Sequence, residues 1–311
     1  MSCLLTKRTV ILAKQEVTYG TDPTPAAGDD AIEAYDVELT INAEVIERAP
    51  GNSDISMFPE ERGKTSVELK FSTKIQGSGS INVASRQDPL LQACGMDSIV
   101  VSGTDITNNP VSCAFKSVTI WVYIDGIIHK VVGCVGDLEA DFSAGEFGVF
   151  TWTFKGIYTI PTDGAIVNPV FDPTDPEIVK AATFTFGSYA AIIEKLTFKL
   201  GNTIAERPDL NQIEGIKGFC ITGRNPEGSM TVEAVTRATT NADFFSYFHN
   251  RTVKALSFAL GGTSGNILTW TSDFCHLRAP VWGDREGVRT FEVAFQIARS
   301  SGNDEWALIW S

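Results

Sequence analysis

The chain predicts a mainly-β protein laid out twice: two meander units in tandem, each carrying one short helix. Three observations support this. Residues 116–163 hold short runs rich in Val, Ile, Phe, Trp and Thr, separated by Gly-bearing breaks, as an antiparallel meander is written. Asp125-Gly126 sits between two apolar runs, a strong hairpin signal because both central residues of the favoured turn take positive φ. The order strand, long loop, strand, short helix, meander then recurs at an offset of about 160 residues, which reads as a duplication.

Of 311 residues, 43% are hydrophobic and 20% charged, enough apolar surface for real cores and a length that suits two domains. The net charge of −13 excludes a nucleic-acid binder that grips phosphates through clustered Lys and Arg. It leaves open a surface that DNA passes without adhering. Cys3, Cys94, Cys113, Cys134, Cys220 and Cys275 form no CxxC pair and read as reduced thiols, mostly small core residues. No run has the length of a membrane span or a signal h-region, so folding in a reducing cytoplasm is expected.

Taken in order, residues 1–33 are rich in Pro, Gly, Asp and small side chains and read as an arm ordered by lying on something else. The first unit is expected over 34–163. Val37, Leu39 and Ile41 alternate with Glu38, Thr40 and Asn42, giving a strand over 36–46. Residues 47–63 form a long polar loop, and loops of this length tend to be functional. A second strand covers 65–75. Asp88 is the expected N-cap of a helix over 88–95, with Pro89 at its first position and Gly95 as its stop. The meander follows, with Leu138, Ala140 and Phe142 set against Asp137, Glu139 and Asp141, and Phe150, Trp152 and Phe154 against Thr151, Thr153 and Lys155. Residues 164–180 read as a Pro-rich linker. The second unit, 181–311, repeats the pattern: strands over 183–186 and 195–200, a loop over 201–229 entered at Glu206-Arg207-Pro208, and a strand over 229–235. A helix within 241–250 and strands over 253–260, 267–270 and 289–297 complete it.

No catalytic constellation is present. His129, His249 and His276 have no nucleophile or carboxylate at a known spacing, no phosphate-cradling Gly motif follows a strand, and Asp137, Glu139 and Asp141 at i, i+2 and i+4 describe a solvated strand face. The chain is expected to be neither an enzyme nor a holder of cofactor or metal.

Several stretches together resemble the tail tube proteins of long-tailed, non-contractile bacteriophages. Glu16-Val-Thr-Tyr-Gly-Thr-Asp-Pro-Thr-Pro is similar to their N-terminal arm, and Pro89-Leu-Leu-Gln-Ala-Cys-Gly to their short helix. Tyr123-Ile-Asp-Gly, the run from His129 through Gly133-Cys-Val-Gly, Trp152-Thr-Phe-Lys-Gly-Ile-Tyr and Pro161-Thr-Asp are similar to their closing meander. The likeness covers most of 15–163 and returns more weakly in the second half. It implies β-sandwich or barrel domains that close into rings, stack into a tube and conduct DNA into the host. It also implies a place in the virion tail, assembly in the bacterial cytoplasm, and neighbours such as tape measure, terminator and baseplate or tip proteins. Most members carry one domain and form hexamers. Two domains per chain imply a trimer with pseudo-sixfold symmetry.

In that setting an acidic bore repels DNA and keeps it sliding. Glu68, Glu139 and Asp141 of the first half and Glu233 and Glu292 of the second are the lumen candidates. Tyr19, Asp22, Pro50, Phe58, Arg62 and Arg207, on the arm and long loops, are the inter-ring candidates. The alternatives are a tube protein of a contractile injection or secretion system, and a two-domain sandwich adhesin or carbohydrate-binding module. The latter wants an export signal and an exposed aromatic platform.

Overall fold

The structure is a computed structural model that describes residues 3–311 apart from Asn52; Met1 and Ser2 of the expected arm, and Asn52 of the expected loop, lie outside the described residues. The first half contains β1 (Thr9–Gln15), β2 (Ala31–Ile32), β3 (Ala34–Ile46), β4 (Glu61–Lys74), α1 (Asp88–Ala93), β5 (Ile99–Val101), β6 (Asp105–Asn108), β7 (Val118–Ile124), β8 (Ile127–Ser143), β9 (Val149–Ile157) and β10 (Thr162–Asp163). The second contains β11 (Thr183–Phe186), β12 (Ile193–Lys199), β13 (Asn202–Pro208), β14 (Ile216–Arg224), β15 (Glu227–Glu233), α2 (Phe244–His249), β16 (Lys254–Leu260), β17 (Leu268–Leu277), β18 (Val281–Arg285), β19 (Val288–Ile297) and β20 (Ala307–Trp310).

The mainly-β expectation holds, and the strands make two layers. The front layer is one antiparallel sheet in the order β3, β4, β9, β8, β12, β15, β19, β18, four strands from each half. The back layer has two parts: β2, β1, β7, β8, β10 behind the first half, and β11, β16, β17, β20, β6, β5 behind the second. Between the layers lies a continuous core in which Trp152, Phe154, Phe198 and Trp270 are buried. Phe142 and Phe258, from opposite halves, meet at 4.5 Å. Aromatic side chains such as these each bury a large apolar area.

Runs read as separate strands merge where the Gly133-Cys-Val-Gly136 break was expected. Ile127–Ser143 is one strand that leaves the back sheet and enters the front sheet. The glycines bend it without ending it: Gly133 takes φ +63°, and a Cβ on Gly136 would sit 2.5 Å from the Phe154 ring. A β-bulge between Val132 and Val135 completes the turn.

The expected arm is also partly core. Thr9–Gln15 pairs with β7 along its whole length, because Val10-Ile-Leu-Ala is apolar on both faces and is buried throughout. Residues after it lie across the back sheet with the strap 164–180: Val10, Leu12, Trp121 and Tyr123 are covered by Ala27, Ile166 and Val167, and Val170 N donates to Ala27 O at 2.9 Å. At α1 the cap is Gln87, not Asp88. Asp88 is instead the first helical residue, its buried carboxylate accepting from Asn108 Nδ2 at 2.7 Å and Gln92 Nε2 at 2.6 Å. The expected loop after Gly201 is largely a hairpin, β13–β14. Its inner residues Ile216, Phe219 and Ile221 seat on Val135 of the first half.

The two halves share irregularities invisible in the sequence. The ladder shifts register between Val118 and Ile120 in β7–β8 and between Lys254 and Leu256 in β16–β17. Buried Cys134 and Cys275 stand at the matching positions. Burial pushes both thiols up, Cys275 to about 12. Cys94 is buried too, while Cys3 and Cys113 are exposed.

Candidate functional site

Nothing among the described residues gathers three His, Cys, Asp or Glu side chains around a point that could hold a metal. His129 lies on β8, His249 in the last turn of α2 and His276 on β17. What the fold builds is a large surface: the solvated face of the front sheet, bounded by two strands that lack a neighbour on one side.

That face follows from strict alternation. Residues opposite the core on β4, β9, β8, β12, β15 and β19 are mostly polar or charged, with Val149, Ile157 and Ala294 as exceptions, and all five lumen candidates lie on it. Glu68 is on β4, Glu139 and Asp141 on β8, Glu233 on β15 and Glu292 on β19. A depression of about 440 Å³ lies on this face, its lining including Glu139, Asp141, Thr151, Thr197, Lys199 and Arg278. The acids do not stand alone. Glu139 pairs with Lys199 and Asp141 with Lys195, each at 2.6 Å. Glu233 lies 3.3 Å from Arg285, and Glu68 faces Lys155 in register. Glu292 lies between Thr231 and Val281. The surface is therefore a mosaic in which most cations already hold a carboxylate. Solvent-exposed pairs of this kind contribute little stability, about 0–1 kcal/mol each, so their weight falls on the field of the surface.

The junction at the middle of the sheet joins the halves. β12 pairs with the C-terminal part of β8, Leu196 opposite Phe142 and Phe198 opposite Ala140, and all four side chains are buried. A second junction closes behind it, where β20 pairs with β6. At the ends of the sheet, among the described residues, β3 pairs only with β4 and β18 only with β19. These ends expose Ile41, Val45 and Ile46 on one side and Val281 and Trp282 on the other. Open edges are sites of strand addition.

The inter-ring candidates separate into two groups. Tyr19 and Asp22 are engaged inside the chain. The Tyr19 hydroxyl donates to Gly133 O at 3.0 Å and accepts from Phe219 N at 2.7 Å, pinning the β13–β14 hairpin to the bend in β8; burial raises its pKa to about 12. Asp22 accepts from Trp121 Nε1 at 3.2 Å. Pro50 and Phe58 lie in the segment 47–60 between β3 and β4, where Ile55 and Met57 are exposed. Arg62 reaches Glu214 at 3.3 Å, and Arg207 is exposed on β13. With Lys64–Glu206 at 2.8 Å, the Arg62 pair braces the β3–β4 and β13–β14 hairpins side by side. Sequence reasoning missed the edge strand β18 and the C-terminal strand β20. The Glu286-Gly287 turn, with φ of 51° and 91°, is the signal that could have found β18.

A search of curated proteins returns no match to this chain. A family model described as phage tail tube protein matches residues 6–297. That span runs from ahead of β1 through the last residue of β19 and so takes in the whole front sheet; the chain belongs to the phage tail tube protein family.

Proposed function

We propose that this tail tube protein assembles as rings of three chains, each supplying two tandem domains, 34–163 and 181–311, so that six like domains enclose a bore. Rings stack into the tube of the virion tail, formed in the host cytoplasm, with tape measure, terminator and baseplate or tip proteins as its neighbours. The observation that carries this reading is the front sheet: two matching sets of four strands, already joined edge to edge within one chain and open at both ends. Repeating that join around a threefold axis leaves no open edge.

In this arrangement the polar face lines the bore. The net charge of −13 disfavours capture of DNA, and lysines held by Glu139 and Asp141 are less available to phosphates, so the duplex slides. The exposed apolar tips of the two hairpins, Ile55 and Met57 on one and Leu210 and Ile213 on the other, suit contacts between rings. Negative-stain microscopy with sedimentation tests the reading. Rings with the mass of three chains and stacked tubes with six-lobed end views are expected. A monodisperse monomer at all concentrations and salts would overturn it.

A further inference from the structure

Resting on the ring reading above, we infer that the seam between copies pairs β18 of one copy with β3 of the next, in a defined register, and that its charges run opposite to those of the internal seam. The opposite polarity makes the two seams non-interchangeable.

The register follows from the repeat. β12 occupies the place of β3: each opens its set of four front strands. Each also carries a ladder irregularity in its N-terminal part, between Tyr35 and Glu38 in one and Ile193 and Lys195 in the other. Val37, Leu39 and Ile41 then match Leu196, Phe198 and Leu200. β18 likewise occupies the place of residues 139–143, since Trp282 faces Phe291 as Ala140 faces Phe150. Carrying the internal pairing of Phe198 with Ala140 and Thr197 with Asp141 onto the open edges sets Leu39 opposite Trp282, Thr40 opposite Val281 and Glu38 opposite Gly283, diagonal to Arg285.

Two properties of the edges fit this pairing. Trp282 is 57% exposed, whereas Phe198 and Ala140 at the internal seam are 2% and 4% exposed. A strand laid against β18 would cover Trp282 as the internal seam covers Ala140. The charges are complementary with reversed sign. Internally, lysines on β12 meet acids on β8. At the open edges, β3 presents Asp36 and Glu38 while β18 presents Arg285. The in-chain pairs of Arg285, 3.3 Å to Glu233 and 3.5 Å to Glu194, are long, and its five donors leave capacity for a carboxylate arriving across the edge. Asp284 accepts from Gly287 N in the turn at 3.2 Å. An exchanged pairing would set Arg285 against Lys195, or Asp141 against Glu38, and like charges facing across strands are destabilising. Selection by such clashes is a known route to specificity.

The test is a cysteine pair, Thr40→Cys with Val281→Cys, in full-length protein with Cys3 and Cys113 changed to Ser. Residues directly opposite on paired strands come within disulfide reach. Under mild oxidation the expected result is a denaturing-gel ladder that ends at three chains, and none from either single variant. Rings or tubes seen by microscopy without this cross-link would overturn the register while leaving the tube reading standing. Absence of rings and tubes would overturn both. Dimers from Thr40→Cys alone would mean that like edges pair, which also overturns it. For the charges, Arg285→Glu is expected to lose ring formation and Glu38→Lys with Arg285→Glu to regain it, thermal melts reporting that both variants are folded. If Arg285→Glu, folded, assembles as well as the parent, the charge assignment is wrong.

Discussion

The outer face of the first back sheet carries Val10, Leu12, Trp121 and Tyr123, covered by Ala27, Ile166 and Val167. The matching face of the second carries Thr185, Ser257, Thr269 and Thr271, each half-exposed. The inner face of the first is aliphatic, with Ile11, Ala13, Ile120 and Val122, and that of the second carries Phe184, Phe186, Phe258 and Trp270. The same backbone path therefore tolerates opposite chemistry outside, provided a covering segment is present where the residues are apolar. The halves differ again in their long hairpins. β3–β4 runs on without a break beyond the sheet, with one further register shift near Ala43. In the second half Gly201, at φ +65°, turns the chain away, and β13–β14 folds back over β8.

Four measurements would break or sharpen this comparison. Trp152→Ala empties the most crowded part of the first front sheet and is expected to cost about 3–5 kcal/mol. Val293→Ala, at the matching place on β19, removes less volume and should cost clearly less; equal losses in denaturant unfolding would mean that the halves do not differ as described. Glu16→Ala comes next, at about 3 kcal/mol. The Glu16 carboxylate accepts from Ser117 Oγ and Thr119 Oγ1 at 2.6 Å and from Gly20 N and Gly133 N at 2.7 Å, so truncation strands buried donors. A loss below the usual surface range would show that water replaces it.

Tyr19→Phe should cost about 1–2 kcal/mol and loosen the β13–β14 hairpin, read as faster hydrogen exchange at Phe219. Its pH signature is distinctive. The folded pKa of about 12 lies above the ordinary value of 10.0, so the stabilisation is complete below pH 10 and is lost as pH rises toward 12. The difference between parent and variant should therefore shrink over that window; a constant difference would count against an enclosed hydroxyl. Lys195→Ala is the smallest, at about 0–1 kcal/mol, because its pair with Asp141 is exposed. A large loss would mean that the internal seam depends on charge rather than on Leu196 and Phe198.

Much of this was legible beforehand because alternation with period two states directly which side chains share a face. That signal placed Glu68, Glu139, Asp141, Glu233 and Glu292 together, and Asp125-Gly126 fixed a turn now seen with φ of 34° and 107°. The lysines across from the acids were in the same strings, but their pairing depends on strand order, which no local pattern encodes. β1 was hidden because an apolar run buried on both faces does not alternate. β18 and β20 were hidden because they are short and acquire their partners from remote segments. The bend in β8 was read as a break because glycine marks both.

The central seam has one kinetic consequence. Because β8 and β12 belong to one polypeptide joined by a strap, their encounter occurs at a local concentration fixed by the tether, of order millimolar for short flexible linkers. Dilution cannot separate them. Only contacts formed by collision of separate molecules would respond to protein concentration, so two halves held on one chain leave fewer steps to chance than two free ones would.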